Sequence, residues 1–112
     1  MPTVPLSPGA LVLQVSDTER AAAFWTQALG YVRRPEQPSF LAPASGDGLR
    51  IHLDQTDRTH LDLWTDREQS DLETEVDRLV ALGATRVPWT YPDDADFVVL
   101  ADTEGNLFCV IE

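Results

Sequence analysis

Lysine is absent from this chain of 112 residues: all eight basic side chains are arginine, set against 19 Asp and Glu. The resulting net charge of -11 repels phosphate backbones and anionic lipid, which excludes nucleic acid and a membrane as expected partners. The same long-range field favours a cationic small molecule. Cysteine occurs once, as Cys109, so no internal disulfide can form. That usage agrees with a reducing compartment, and a cytoplasmic location is the expectation. No apolar run approaches the ~18 residues that span a bilayer. The opening Met1-Pro2-Thr3-Val4-Pro5-Leu6-Ser7-Pro8 has neither a basic nor an apolar leader segment, and reads as a lead-in to the first strand. Phosphate loops, dinucleotide fingerprints and Gly-x-Ser-x-Gly elbows are missing too. Histidine is scarce, with only two, His52 and His60.

What the chain does have is a repeat. Ala28-Leu29-Gly30-Tyr31-Val32-Arg33-Arg34-Pro35 returns 53 positions later as Ala81-Leu82-Gly83-Ala84-Thr85-Arg86-Val87-Pro88. Each copy follows an alternating apolar stretch and then a helical one. A period of about half the chain implies two copies of one βα-containing unit.

In the first copy, Leu11 to Val15 alternates as a strand, with Leu11, Leu13 and Val15 on one face. Ser16-Asp17-Thr18-Glu19 has capping-box spacing. The helix predicted to follow runs to about Leu29, with a buried stripe of Ala21, Phe24, Ala28 and either Trp25 or Leu29. Gly30 suits its C-terminal cap. Tyr31 to Arg34, Phe40 to Ala42 and Arg50 to Asp54 read as strands, with a loop at Ala44 to Gly48. In the second copy, Thr59 to Trp64 alternates. Ser70-Asp71-Leu72-Glu73 offers another capping box, and Leu72, Val76, Leu79 and Val80 form the stripe of a helix that ends at Gly83. Arg86 to Trp89, Phe97 to Ala101 and Leu107 to Ile111 complete the strands. The order is βαβββ twice within one domain of residues 1–112, the modules being about 10–55 and 59–112, with a hinge at Gln55 to Arg58.

Several of these stretches resemble the glyoxalase-like domains of the vicinal oxygen chelate superfamily. The carriers are Val15-Ser16-Asp17 with Ala23-Phe24-Trp25-Thr26-Gln27-Ala28-Leu29-Gly30-Tyr31, His60-Leu61-Asp62-Leu63, Val76-Asp77-Arg78-Leu79 with Ala81-Leu82-Gly83-Ala84, and Leu100 to Val110. The resemblance implies an α+β fold in which two βαβββ modules form a half-open, cup-shaped mixed sheet with the helices outside. It implies a homodimer as well. Its members include metal-dependent lyases, isomerases and dioxygenases, and metal-free proteins that sequester drugs. The metal ligands of the former fall at Ala10, which cannot coordinate, near His52 to Asp54, at His60, and at Cys109 in place of the usual Glu.

Alternation puts His60, Asp62 and Trp64 on the cup face, with His52 and Asp54, and with Leu107, Cys109 and Ile111. The expected function is a metal-free protein that holds an apolar or aromatic metabolite or antibiotic in the cup. His60 and Asp62 would orient the ligand; Trp64, Trp89 and Phe97 would wall it; His52 and Cys109 would line it. No cofactor is expected on that reading. The alternatives are a divalent-metal lyase, isomerase or dioxygenase using His60 with His52 or Cys109, and a dimeric module with a vestigial cup. The plainer readings are a hydrogen-bonded imidazole at His60, solvated carboxylates at Asp54 and Asp62, and a small buried thiol at Cys109.

Overall fold

The computed structural model describes residues 4–112. Its elements run β1 (Leu6–Gln14), α1 (Thr18–Leu29), β2 (Tyr31–Arg33), β3 (Phe40–Pro43), β4 (Arg50–Asp54), β5 (His60–Thr65), α2 (Leu72–Leu82), β6 (Thr85–Arg86), β7 (Phe97–Ala101) and β8 (Leu107–Ile111). This is the α+β architecture of two βαβββ modules. Residue contacts divide the described chain into two units, Gly9–His60 and a second made of Leu61–Glu112 with the described residues up to Pro8.

The first unit orders its strands β2-β3-β4-β1. β1 runs parallel to β4, with Ala10 opposite Arg50 and Val12 opposite His52, while β3 is antiparallel to both β2 and β4. Apolar alternation decides which face meets the helix: Leu41, Ile51 and Leu53 are buried with Ala22, and Leu13, Val15, Ala21, Trp25 and Tyr31 pack around them. The α1 stripe differs from the expected one. Phe24 is 62% exposed and Leu29 49%, and Ala28 is exposed too. Two adjacent aromatics cannot both face one sheet. The small Ala21 and Ala22 let the helix approach closely, Trp25 fills the gap beside them, and Phe24 packs edge-on against Trp25 from outside (centroids 5.0 Å apart).

The second unit repeats the plan as β6-β7-β8-β5. β5 runs parallel to β8, and β7 is antiparallel to β6 and β8. Val76, Leu100 and Val110 are buried, and Leu72, Leu79, Ala84, Val98 and Phe108 pack around them. Leu6 joins this core from the start of β1. Val80, expected in the stripe, is 39% exposed. Glu75 takes the inward position instead, at 2%. With Leu72, Val76 and Leu79 it completes an i, i+3, i+4, i+7 face. Its carboxylate accepts from Arg78 Nε (3.0 Å) and Nη2 (2.8 Å) on one oxygen, and from Ser70 Oγ (2.8 Å) on the other.

Both helices start one residue later than the capping-box spacing predicts. Asp17 Oδ1 accepts from Arg20 N at 3.0 Å, and Asp71 Oδ1 accepts from Thr74 N at 2.8 Å. In the first case the strand ladder continues through Val15, whose N–H donates to Asp54 O at 2.8 Å, so the extended residue before the helix is Asp17. Aspartate caps as well as serine does. Ser16 and Ser70 are left to bond Arg20 and Glu75, and Glu19 pairs with Arg33. Gly30 ends α1 in the left-handed region (φ 68°), which glycine enters without a Cβ penalty.

Candidate functional site

The strongest concentration of chemistry lies where β5 meets β8. Leu61 and Leu63 sit opposite Phe108 and Val110 on the helix side, so the register puts Asp62 directly opposite Cys109 on the other face. His60 precedes Asp62 by two residues and shares that face. Donor atoms of His60, Asp62 and Cys109 lie within 4.8 Å of one another.

The imidazole of His60 is tied down. Its Nδ1 lies 2.6 Å from Arg58 O. A carbonyl oxygen only accepts, so Nδ1 carries the proton and, in the neutral ring, Nε2 presents a lone pair. Backbone ligation of one ring nitrogen is how a metal-binding histidine is commonly oriented. The side chain is 9% exposed, and Asp57 Oδ2 stands 4.0 Å from Nε2. Asp54 ends β4, and Asp57 belongs to the turn that leads from it into β5. There Asp54 Oδ1 accepts from Thr56 N (2.8 Å) and Asp57 N (2.9 Å). These bonds, Thr56 N–H foremost, hold the Asp54 carboxyl below its ordinary value of 3.8, against an opposing effect of burial.

The other expected site residues are distributed as follows. Trp64, 39% exposed, is opposite Ile111 on β8. Phe97, on β7, is opposite the same Ile111 and tilts against Tyr91 with centroids 5.4 Å apart. The Tyr91 hydroxyl accepts Val99 N–H at 2.8 Å. Trp89 does not end a strand: β6 stops at Arg86. Pro88 has no N–H to extend the ladder, and Trp89 lies in irregular chain, 44% exposed. His52 belongs to the first unit and stacks on Phe40, centroids 4.2 Å apart and planes at 11°. The group that gathers is therefore His60 with Asp62 and Cys109; His52 is not in it.

The sequence matches the Glyoxalase-like domain family over residues 10–111. The chain belongs to that family, within the vicinal oxygen chelate superfamily. No curated protein matches this glyoxalase-like domain. Among solved structures it is similar to methylmalonyl-CoA epimerase from Mycobacterium tuberculosis, with 16% identity and a TM-score of 0.58 over 100% of this chain and 91% of that one. That likeness is one of fold. A glyoxalase-related enzyme from Fulvimarina pelagi is 20% identical over 92% of this chain and 85% of that one, with a TM-score of 0.34.

The expectation that no cofactor is involved is overturned by the convergence of His60, Asp62 and Cys109 in a domain of the epimerase fold. Alternation had placed all three on one face, but only the β5–β8 register brings the carboxylate opposite the thiol. The donor set is one imidazole nitrogen, one carboxylate oxygen and one sulfur. That mixture suits a borderline cation such as Zn²⁺ and is poor for Mg²⁺ or Ca²⁺, which take oxygen ligands. Tetrahedral bonds of ~2.0–2.3 Å set donors roughly 3.5 Å apart, so donors that already lie within 4.8 Å of one another need draw in by no more than about 1.3 Å.

Proposed function

We infer that this glyoxalase-like domain is a metal-dependent isomerase or lyase acting on a small molecule, with a divalent cation of the zinc class held by His60, Asp62 and Cys109. The observation that carries the reading is the gathering of those three donors within 4.8 Å, with the His60 ring already oriented through Arg58 O. When bound, such a cation polarises a substrate oxygen as a Lewis acid.

The chain's own residues do the rest. Arg58 O fixes the tautomer, so that in the neutral ring Nε2 of His60 carries the lone pair. Asp62 supplies a carboxylate from a strand rather than from a mobile loop. Cys109 would ligate as the thiolate and give up its proton, so metal affinity would rise with pH. Three protein donors would hold a zinc-class cation while leaving it open to a substrate oxygen. Trp64 on β5 and Phe97 on β7, both aligned with Ile111 of β8, offer apolar area on the same face of that sheet.

An iron dioxygenase of the two-histidine, one-carboxylate kind fits less well. It needs a second imidazole at the cluster, and His52, the only other histidine, is stacked on Phe40.

The test is elemental analysis of protein purified without chelator, followed by calorimetric titration with Zn²⁺. About one equivalent of metal is expected, and His60→Ala, Asp62→Asn and Cys109→Ser should each weaken Zn²⁺ binding by at least ~10-fold. Absence of copurified metal together with no saturable Zn²⁺ uptake would sink the reading.

A further inference from the structure

A second feature lies in the first unit, on the sheet face turned away from α1. The antiparallel register aligns Val32 with Ala42 and Phe40 with His52. Alternation places Arg50 on that face, and Arg34 follows Val32 there. Together Val32, Arg34, Gln37, Phe40, Ala42 and Arg50, with Gly46 from the β3–β4 loop, surround a hollow of about 150 Å³.

Its charge is the reverse of the protein's. In a chain of net charge -11, two of the eight arginines line this one hollow and no carboxylate does. Arg34 makes no ion pair with a carboxylate among the described residues. The Arg50 guanidinium carbon lies 4.4 Å from the centroid of the Phe40 ring. Phe40 in turn is braced by the stacked imidazole of His52. The cation is thereby positioned by packing against aromatic surface. Val32, Phe40 and Ala42 supply apolar wall, and Gln37 supplies an amide. In size the hollow is comparable to a ~150 Å³ engineered cavity that takes up benzene.

We propose that this hollow binds a small aromatic carboxylate. The carboxylate lies between Arg34 and Arg50, where guanidinium forks match its geometry, and the ring rests on Val32, Phe40 and Ala42. Such a ligand is opposite in charge to the one that net charge alone favours. The hollow shares no residue with His60, Asp62 and Cys109, so this site and the metal reading stand or fall separately.

Titration of the isotope-labelled full chain with benzoate, followed by nuclear magnetic resonance, tests the site with and without chelator. Saturable shifts are expected at the Nε–H groups of Arg34 and Arg50 and at the amides of Val32, Ala42 and Gly46, and they should persist in chelator. Benzamide, of the same shape without the charge, should bind at least ~10-fold more weakly. Arg34→Gln, at an exposed side chain, should weaken benzoate by roughly 10-fold. Arg50→Gln should do the same in a variant whose spectrum stays dispersed. Absence of saturable shifts with benzoate overturns the proposal. So does benzamide binding equally well, or benzoate affinity that neither arginine variant changes. Inorganic phosphate that shifts the same resonances with equal affinity overturns the assignment to an aromatic acid. Shifts that vanish in chelator do so as well, since they would place benzoate on a metal.

Discussion

Replacing Arg78 by methionine should destabilise the protein far more than replacing Arg78 and Glu75 together. The Glu75 carboxylate is 2% exposed, and among the described residues one of its oxygens is held only by the forked contact from Arg78. Arg78→Met leaves that charge in the interior with Ser70 as its remaining partner. Stranding one member of a buried ion pair costs about 3–5 kcal/mol. The Arg78 side chain is 34% exposed, so water reaches the edge of the pair, and about 2–3 kcal/mol is the better figure. In Glu75→Leu/Arg78→Met both charges disappear. Leucine then joins Leu72, Val76 and Leu79 on the buried face of α2, and the double variant should lie within about 1 kcal/mol of the parent. Urea unfolding followed by circular dichroism at fixed m measures all of these. At an m of roughly 1–2 kcal/mol/M the single variant's midpoint should fall by about 1–3 M, and the double variant's by under ~1 M. The coupling energy should exceed ~1 kcal/mol. If Arg78→Met costs under ~0.5 kcal/mol, or the two substitutions simply add, the carboxylate is not confined as described.

Three further outcomes follow from local structure. Thr65 Oγ1 is buried without a hydrogen-bond partner among the described residues, so Thr65→Val should raise stability by up to ~1 kcal/mol, read as a higher melting temperature. The carboxyl of Asp54 is held below 3.8 in the folded state, chiefly by Thr56 N–H. A depressed folded pKa contributes stability that is present above the unfolded value and lost as pH falls through the folded one. The destabilisation caused by Asp54→Asn should therefore be full at neutral pH and shrink below about pH 3.8; a difference independent of pH in parallel melts would refute this. Trp25→Ala should cost about 2–4 kcal/mol and Phe24→Ser under ~1 kcal/mol. Equal costs in urea titrations would mean that α1 presents a different face.

Much of this architecture is legible before any coordinates, and the failures are physical. Duplicated segments and period-two alternation place β4, β5 and β8 and tell their faces correctly, because one face of each strand must be apolar to cover a helix. Alternation carries parity but not register. It put His60, Asp62 and Cys109 on one face and left open which lies beside which. His52 shares their parity and was grouped with them, although its strand carries it to Phe40 instead. The helix caps slipped by one residue because Ser and Asp are equally good caps and the strand ladder decides between them. Glu75 was overlooked because its charge masks a position that the 3.6-residue period marks as inward. The two arginines of the hollow lie sixteen positions apart in the chain, and only the pairing of β2, β3 and β4 makes them neighbours.

The first strand is shared property. Leu13, near its end, packs into the first interior, whereas Leu6, at its beginning, packs into the second with Val76, Leu100 and Val110. Pro5 O also accepts the N–H of Asp66, just beyond β5. The later half of the chain is thus finished by residues made first. A ribosome that has released only the opening half holds a segment still waiting for partners some sixty to a hundred positions away. A tag or truncation that disturbs Leu6 should be felt around Val110 in β8, even though Gly9 and everything up to His60 are untouched.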